Sequence, residues 1–195
     1  MSFVEILPEG IYYQLVSTLS TENRYNLRET KGCDWEMAKE DKTNVMRVLE
    51  KAKVEYASHT YEQDPTKSGE EIAAILGEDP DKVFKTLVTQ GKSGQYYVFV
   101  VPVKTELDLK KTARTAGEKS IAMIKQKDLL PLTGYVHGGC SPIGMKKAFP
   151  TFIHESCKEY DHIFVSAGKV GYQIELSPED LIKITRSKTA DIISE

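Results

Sequence analysis

Apolar residues in the first clearly patterned segment recur at positions i, i+3, i+4 and i+7, the stripe of an amphipathic helix: Val45, Val48, Leu49 and Ala52. Thr43 or Asn44 is placed to cap the N-terminus of this helix. A second, shorter helix is predicted downstream, because Ser68 followed three residues later by Glu71 is typical of a capping box. Gly77 then stands where a left-handed C-terminal cap belongs.

The middle of the chain contains short apolar, β-branched runs separated by turn residues. Residues 84–89 and 95–103 are joined by a glycine-bearing turn at residues 91–94, which predicts a β-hairpin. The second run is nearly continuously apolar, so we expect a central strand covered on both faces. Other short strands are predicted at residues 56–61, 121–124, 151–154, 163–166 and 172–176.

Two further helices are predicted, one over residues 108–116 before Gly117 and one that begins after Ser177. Strands and helices are interleaved without strict β-α-β alternation, which indicates a mixed-sheet α/β or α+β domain. Residues 17–31 are polar and weakly patterned. We therefore expect residues 1–36 to be an N-terminal extension and residues 37–195 to form one folded domain.

Composition narrows the class of protein. With 195 residues, 40% hydrophobic and 28% charged, the chain can bury one sizeable core. Its three cysteines show no CxxC spacing, which does not support a disulfide framework or a tetrahedral zinc site and favours a reducing, cytoplasmic location. Dinucleotide and triphosphate fingerprints are absent from the sequence, as are a secretory signal pattern and any run of about 20 apolar residues.

The formal net charge of −3 argues against a protein that coats nucleic acid through a global positive field. A local basic face is still compatible with the sequence, because lysines concentrate in two stretches: Lys104, Lys110, Lys111, Lys125 and Lys127, and then Lys146 with Lys147. The alternative interpretation is that these are ordinary solvated surface lysines.

Residues 134–144 contain four glycines and one proline within eleven positions. Glycines permit positive φ and close backbone approach, so such a loop can aim several N–H groups at a carbonyl oxygen or a phosphate. A tight structural turn is the alternative. A second glycine-bearing turn, residues 166–171, could present Ser166 at the same mouth. His137 and Cys140 raise the further possibility of a cysteine nucleophile, although a buried structural cysteine explains Cys140 equally well.

Lys85 is unusual because it lies at the start of an otherwise apolar strand. A lysine that points into a cleft there could hold a phosphate or a carbonyl oxygen by its charge. The alternative is a lysine whose alkyl chain lies along the strand end while its ammonium group reaches water.

Five segments in order resemble the YbaK family of Cys-tRNA(Pro) deacylases: residues 59–62, 83–87, 107–111, 134–144 and 166–175. The resemblance spans residues 42–193, and its most specific part is Gly-Tyr-x-x-Gly-Gly-x-Ser-Pro-x-Gly. It implies a single editing domain with a mixed, largely antiparallel sheet flanked by helices, similar to the insertion domain of prolyl-tRNA synthetases. It implies no metal, no organic cofactor, and neither DNA nor a membrane as partner.

The resemblance also implies roles for individual residues. The implied catalytic set is Lys85, Gly138, Gly139, Ser166 and Gly168. The implied substrate-binding set is Tyr61, Thr86, Tyr135, Ser141, Pro142 and Gln173. The implied substrate is tRNA(Pro) carrying a wrong amino acid, with prolyl-tRNA synthetase as a candidate partner. For the tRNA we expect contacts from Lys104, Lys110, Lys111, Lys146 and Lys147.

Two positions depart from the family pattern. Ala167 stands where glycine is expected, and Gln173 stands where an aspartate is expected. Gln173 removes a charge near the inferred pocket, which affects amino-acid selectivity more than reaction type. Two other functions therefore stay open: deacylation of another small amino acid, and a non-catalytic module that binds tRNA or prolyl-tRNA synthetase.

Overall fold

A computed structural model describes residues 42–64 and 67–194 of the chain. The predicted N-terminal extension, residues 1–36, lies outside the described residues, as does Cys33. Elements below are numbered in chain order within the described part.

The described residues contain five α-helices: α1 (Asn44–Ala52), α2 (Gly69–Leu76), α3 (Leu109–Ala116), α4 (Gln126–Thr133) and α5 (Pro178–Thr185). All except α4 begin at a residue whose side chain caps the helix. The side chain of Thr43 accepts a hydrogen bond from the N–H of Met46 and so caps α1. The predicted capping box of α2 is present between Ser68 and Glu71. These helix starts are confirmed because a cap is a local arrangement of neighbouring residues.

Eight strands lie within residues 42–64 and 67–194: β1 (Ala57–Thr60), β2 (Phe84–Gly91), β3 (Tyr96–Pro102), β4 (Ile121–Met123), β5 (Thr151–His154), β6 (Ile163–Ser166), β7 (Tyr172–Leu176) and β8 (Lys188–Ala190). One sheet has the order β4-β2-β3-β5-β8, in which β5 is parallel to both of its neighbours and the other pairs are antiparallel. The other sheet has the order β1-β7-β6 and is antiparallel throughout. The mixed, largely antiparallel fold predicted from the sequence is confirmed.

Helices cover both faces of the larger sheet, as expected for a central strand as apolar as β3. Val98 and Val100 of β3 face a large core that includes residues of α1 and of the glycine-rich segment. Phe99 and Val101 face a smaller core beneath α3. Residues 97–102 of this strand are buried, which confirms the prediction of a central strand.

Three elements were missed by the sequence patterns. Helix α4 contains Pro131, a residue that normally argues against a helix interior. Strand β8 carries no apolar alternation and forms by pairing with β5. A 3-10 helix, Glu155–Glu159, follows β5 directly. No helix within the described ranges has the length and apolar content needed to cross a bilayer.

Candidate active site

The two sheets meet where β2 runs beside β6. Val83, just before β2, forms a parallel bridge with Phe164 of β6, and the N–H of Phe164 donates to the carbonyl of Lys82. Paired residues lie on the same face of a sheet, and so do residues two positions further along each strand. The bridge is isolated, but its register, continued by two residues along each strand, puts Lys85 and Ser166 on the same face on either side of the seam.

A polar row continues from the seam across the smaller sheet. Ser166 is paired with Gln173 on β7, and Gln173 is paired with His59 on β1. Directly opposed residues of neighbouring strands share a face. Ser166, Gln173 and His59 therefore continue the polar row that begins at Lys85. Glu175 follows Gln173 by two residues on β7 and so shares its face. Its carboxylate lies 3.1 Å from Nε2 of His59.

Lys85 keeps its ammonium group partly accessible at the edge of this row. Its side chain is 30% exposed, and Nζ lies 3.5 Å from Oε1 of Glu106, a side chain that is 85% exposed. An ion pair of that length with a solvated partner is weak. The ammonium group is therefore available to a substrate that brings a developing negative charge.

The glycine-rich segment and the second turn pack against each other. A side chain at Gly139 would approach the backbone of Lys169 and Val170 to 3.0–3.4 Å. Gly168, at φ +85°, leaves no room for a side chain, because a Cβ there would lie 2.8 Å from the ring of Tyr135. These two glycines permit a backbone approach that other residues would prevent. The prediction that both turns border one mouth agrees with this packing.

The glycine-rich segment is held rigid from inside. The hydroxyl of Tyr135 donates to the carbonyl of Ile143 at 2.6 Å, and Oγ of Ser141 accepts from the N–H of Ile143 at 3.3 Å. Nδ2 of Asn44 donates to the carbonyl of Gly144 at 3.0 Å. Burial raises the pKa of Tyr135, so this phenol stays protonated as a donor. Ser141 and Pro142 are buried, so they belong to the packed interior of this segment.

Two of the predicted backbone donors are already used within turns. The N–H of Gly139 donates to the carbonyl of Val136 at 3.1 Å, and the N–H of Gly168 donates to Oγ of Ser166 at 3.2 Å. The first bond closes a turn whose third residue, Gly138, has φ +78° as a type II turn requires. Within the described ranges, the N–H of Gly138 has no acceptor. Gly139 and Gly168 therefore shape the site, and Gly138 is the one that offers a free N–H.

Cys140 is not arranged as a nucleophile. It is 9% exposed, and burial raises the pKa of its thiol to about 12. His137 is exposed on the same loop, and no hydrogen bond joins it to Cys140 in the described structure. A thiol with this pKa carries almost no thiolate at neutral pH. The interpretation of Cys140 as a buried structural residue is therefore favoured.

Tyr61 lies at the far side of the second turn. Its N–H donates to the carbonyl of Gly171 at 2.9 Å, which extends the pairing of β1 with β7. Desolvation raises the pKa of its partly buried hydroxyl, with a further contribution from the charge of Glu78. Tyr61 is thus near the polar row that begins at Lys85.

Thr86 does not share a face with Lys85. Neighbouring residues of a strand point to opposite faces, and Thr86 is on the side of Phe84 and Val88, which belong to the larger core. Its Oγ1 is buried without a hydrogen-bond partner in the described structure. The structure therefore separates two residues that the sequence placed in one pocket.

Glu78 lies beside the candidate site and was missed by the sequence patterns. With the amide of Gln173 assigned so that its nitrogen faces the carboxylate, that nitrogen lies 2.9 and 3.2 Å from the two oxygens of Glu78. Burial, followed by repulsion from Glu175, raises the pKa of Glu78 to about 7. In the sequence, Glu78 is distinguished only by its position directly after Gly77. The register of β7, which sequence patterns do not give, brings Gln173 to it.

The lysines predicted to contact tRNA divide into two kinds. Lys104 is 3.0 Å from Asp81, and Lys111 is 2.8 Å from Asp191, so both charges are partly neutralised. Lys110, Lys146 and Lys147 are exposed and form no ion pair within the described residues. Lys110 also lines an open depression of about 450 Å³ with Arg114 and Lys119, away from Lys85.

The described residues offer no cluster of side chains suited to binding a metal ion. Across residues 42–64 and 67–194, no three His, Cys, Asp or Glu side chains are grouped as an ion would need.

Comparisons with known proteins agree with the fold. A sequence profile described as the aminoacyl-tRNA editing domain matches residues 63–184. A protein of Enterococcus faecalis, EbsC, is named as a proposed Cys-tRNA(Pro)/Cys-tRNA(Cys) deacylase. It is 46% identical over 154 residues, which cover 78% of this chain and 94% of that protein.

Solved structures give the same picture. The crystal structure of a hypothetical protein matches with a TM-score of 0.71 at 22% identity and covers 77% of this chain and 99% of that one. A structure described as a proposed trans-editing enzyme for prolyl-tRNA synthetase matches with a TM-score of 0.68 at 24% identity, over 78% and 96% of the two chains. At these identities the structural likeness shows the fold alone.

Proposed function

This chain belongs to the family of aminoacyl-tRNA editing domains, and we propose that it removes cysteine wrongly attached to tRNA(Pro). The acyl group would be cleaved in trans, after release of the mischarged tRNA from a synthetase. The name of the Enterococcus faecalis relative supports cysteine as the amino acid. Prolyl-tRNA synthetase is the partner that would supply this substrate.

One observation supports the proposal: the register of the Val83–Phe164 bridge puts Lys85 and Ser166 on one face at the seam, and the loop with Gly138 and Gly139 packs against the turn that follows Ser166. An ester that reacts through a tetrahedral intermediate needs positive charge and hydrogen-bond donors where its carbonyl oxygen becomes negative. A lysine ammonium and a backbone N–H supply both.

The attacking group in this proposal is the thiol of the substrate cysteine. A thiol with a pKa near 8.5 is a few per cent thiolate at pH 7 and is intrinsically very nucleophilic. After its proton passes to water, the sulfur bonds to the ester carbonyl carbon and the carbonyl electrons move to oxygen. The intermediate collapses as the bond to the ribose oxygen breaks, and that oxygen takes a proton from water. The products are the tRNA hydroxyl and a cyclic thiolactone, which water opens to free cysteine.

In this scheme the protein positions groups instead of supplying a nucleophile. Lys85 and the N–H of Gly138 stabilise the oxyanion, while the packed segment that contains Ser141 and Pro142 restricts the size of the acyl group. The turn held by Ser166 and Gly168 keeps the mouth in shape. The high pKa of Cys140 supports a mechanism without a protein thiolate.

The RNA would be held by exposed lysines at the periphery. Lys110, Lys146 and Lys147 are the members of the predicted set that have no ion pair within the described structure. Phosphate contacts of this kind position the substrate without reading its sequence. Selectivity for tRNA(Pro) would then come from elsewhere, including a synthetase that hands over its product.

A panel of charged tRNAs tests the function. Purified protein is mixed with tRNA(Pro) carrying cysteine, alanine, serine or proline, and release of each amino acid is compared with a reaction without protein. We expect cysteine to be released fastest and proline to be retained. Fast release of alanine or serine instead would favour the alternative deacylase. Binding with no accelerated release of any amino acid would identify a non-catalytic module.

A further inference from the structure

A rigid carboxylate lies beside the polar row. Glu78 directly follows Gly77, the left-handed cap of α2 at φ +71°. The N–H of Glu78 donates to the carbonyl of Ala73 at 2.9 Å, and that of Gly77 donates to Ala74 at 3.3 Å. These two bonds form a Schellman-type helix end, which fixes the backbone from which the carboxylate projects.

The carboxylate is held on one side only. The amide nitrogen of Gln173 lies within hydrogen-bond distance of both oxygens, and Gln173 itself is 7% exposed and fixed between β1 and β6. An ionised carboxylate can accept about four hydrogen bonds, so the amide group of Gln173 satisfies only part of its hydrogen-bonding capacity. No Lys, Arg or His of the described residues forms an ion pair with Glu78.

The charged groups around Glu78 do not supply a positive partner for its carboxylate. Glu175 on β7 repels Glu78, while His59 on β1 is engaged with Glu175 and not with Glu78. Tyr61 adds only a protonated hydroxyl. Lys85, across the seam, contacts Glu106. A partly buried carboxylate without a cationic partner is costly, and a bound cation would remove that cost.

Lys85 lies at one end of the polar row, and the carboxylate of Glu78 lies against Gln173, further along it. Register separates the strands of Lys85 and Gln173 by about two strand spacings, roughly 10 Å between backbones. The ammonium group of Lys85 and the carboxylate held by Gln173 therefore belong to the same face, separated by a short stretch of sheet. An aminoacyl ester has matching polarity: its α-ammonium group is one carbon away from the carbonyl that reacts.

We propose that Glu78, held by Gln173, binds the α-ammonium group of the aminoacyl ester and makes the site selective for substrates with a free α-amine. The inference rests on the proposed function, because it assigns the second end of the same substrate. Esters whose amine is blocked, as in N-acylated or peptidyl-tRNA, would lose this contact and would be rejected.

The test compares Cys-tRNA(Pro) with N-acetyl-Cys-tRNA(Pro) in wild type and Glu78→Gln. We expect Glu78→Gln to lower kcat/KM for the free-amine substrate by about 10- to 100-fold, the loss typical of a charged hydrogen bond. The blocked substrate should change by less than about threefold. The ratio of the two effects cancels the intrinsic difference in reactivity between the esters. Glu55→Gln, at an exposed position outside the row, serves as the matched control and should change neither value.

A structural role for Glu78 would give a different result. If Glu78→Gln lowers kcat/KM of both substrates by the same factor, the proposal is wrong. Equal use of both substrates by wild type would also overturn it. If wild type cleaves neither ester, the proposed function fails separately. Glu78 is then tested by calorimetric binding of an amide-linked cysteinyl-adenosine and its N-acetyl form. Preferential binding of the free amine, lost in Glu78→Gln, would support the proposal, and equal binding would refute it.

Discussion

Replacement of Glu78 by glutamine should change how the stability of the protein depends on pH. Burial and the neighbouring Glu175 raise the pKa of Glu78 from 4.5 to about 7 in the folded chain. The folded state therefore retains a proton that the unfolded state has lost, and folding takes up a proton between these two pH values. The free energy of unfolding of wild type should fall as pH rises through this window, relative to Glu78→Gln.

The size of the effect follows from the pKa difference. A change from 4.5 to about 7 corresponds to about 3.4 kcal/mol for a group fully shielded from water. Because Glu78 is partly exposed, we discount this to about 1–2 kcal/mol. Urea unfolding of wild type and Glu78→Gln at pH 4, 5, 6, 7 and 8 measures the difference in free energy of unfolding. A flat difference would show that Glu78 is not desolvated as described.

Three further predictions test the packing and the surface. Cys140→Ser should keep most of its activity per folded molecule despite a stability loss of about 1–3 kcal/mol; a loss of activity by several orders of magnitude would restore a cysteine nucleophile. Gly168→Ala should lose about 2–4 kcal/mol from strain and collision, whereas Gly94→Ala, at φ +90° with open space, should lose only about 1–2 kcal/mol; equal losses would contradict the contacts of Gly168. Replacing Lys146 and Lys147 by alanine should reduce the slope of log affinity for tRNA against log salt by about 1 per lost phosphate contact, and an unchanged slope would place the RNA elsewhere.

Local signals in the sequence predicted the elements that depend on neighbouring residues. The caps at Thr43 and Ser177 and the capping box at Ser68 form within a few residues of each helix start. Helix α4 was not predicted, since Pro131 contradicts the usual pattern and tertiary packing overrides it. Strand β8 was missed because a partner strand, and not its own residues, defines it.

The candidate site shows the same division. The glycine density of residues 134–144 and the isolated charge of Lys85 are visible in the sequence, whereas the bridge of Val83 with Phe164, which puts Lys85 and Ser166 on one face, is visible only in the structure. Strand alternation alone would have placed Thr86 on the opposite face. Glu78 could not be found in this way, because its role depends on contact with Gln173, ninety-five positions later in the chain. The partners of the backbone N–H groups likewise depend on turn geometry that composition does not specify.

Single-turnover deacylation of Cys-tRNA(Pro) and Ser-tRNA(Pro) by wild type and Lys85→Ala tests the central claim most directly. Serine matches cysteine in shape, but its hydroxyl is almost wholly protonated at neutral pH, so wild type should release cysteine far faster than serine. Loss of one donor to a developing oxyanion typically costs about 100- to 1000-fold, so cysteine release by Lys85→Ala should fall by that factor. Lys92→Ala, at the exposed turn of the same hairpin, should keep the wild-type rate. Equal rates for the two substrates, or a Lys85→Ala protein as fast as wild type, would contradict substrate-thiol attack assisted by Lys85.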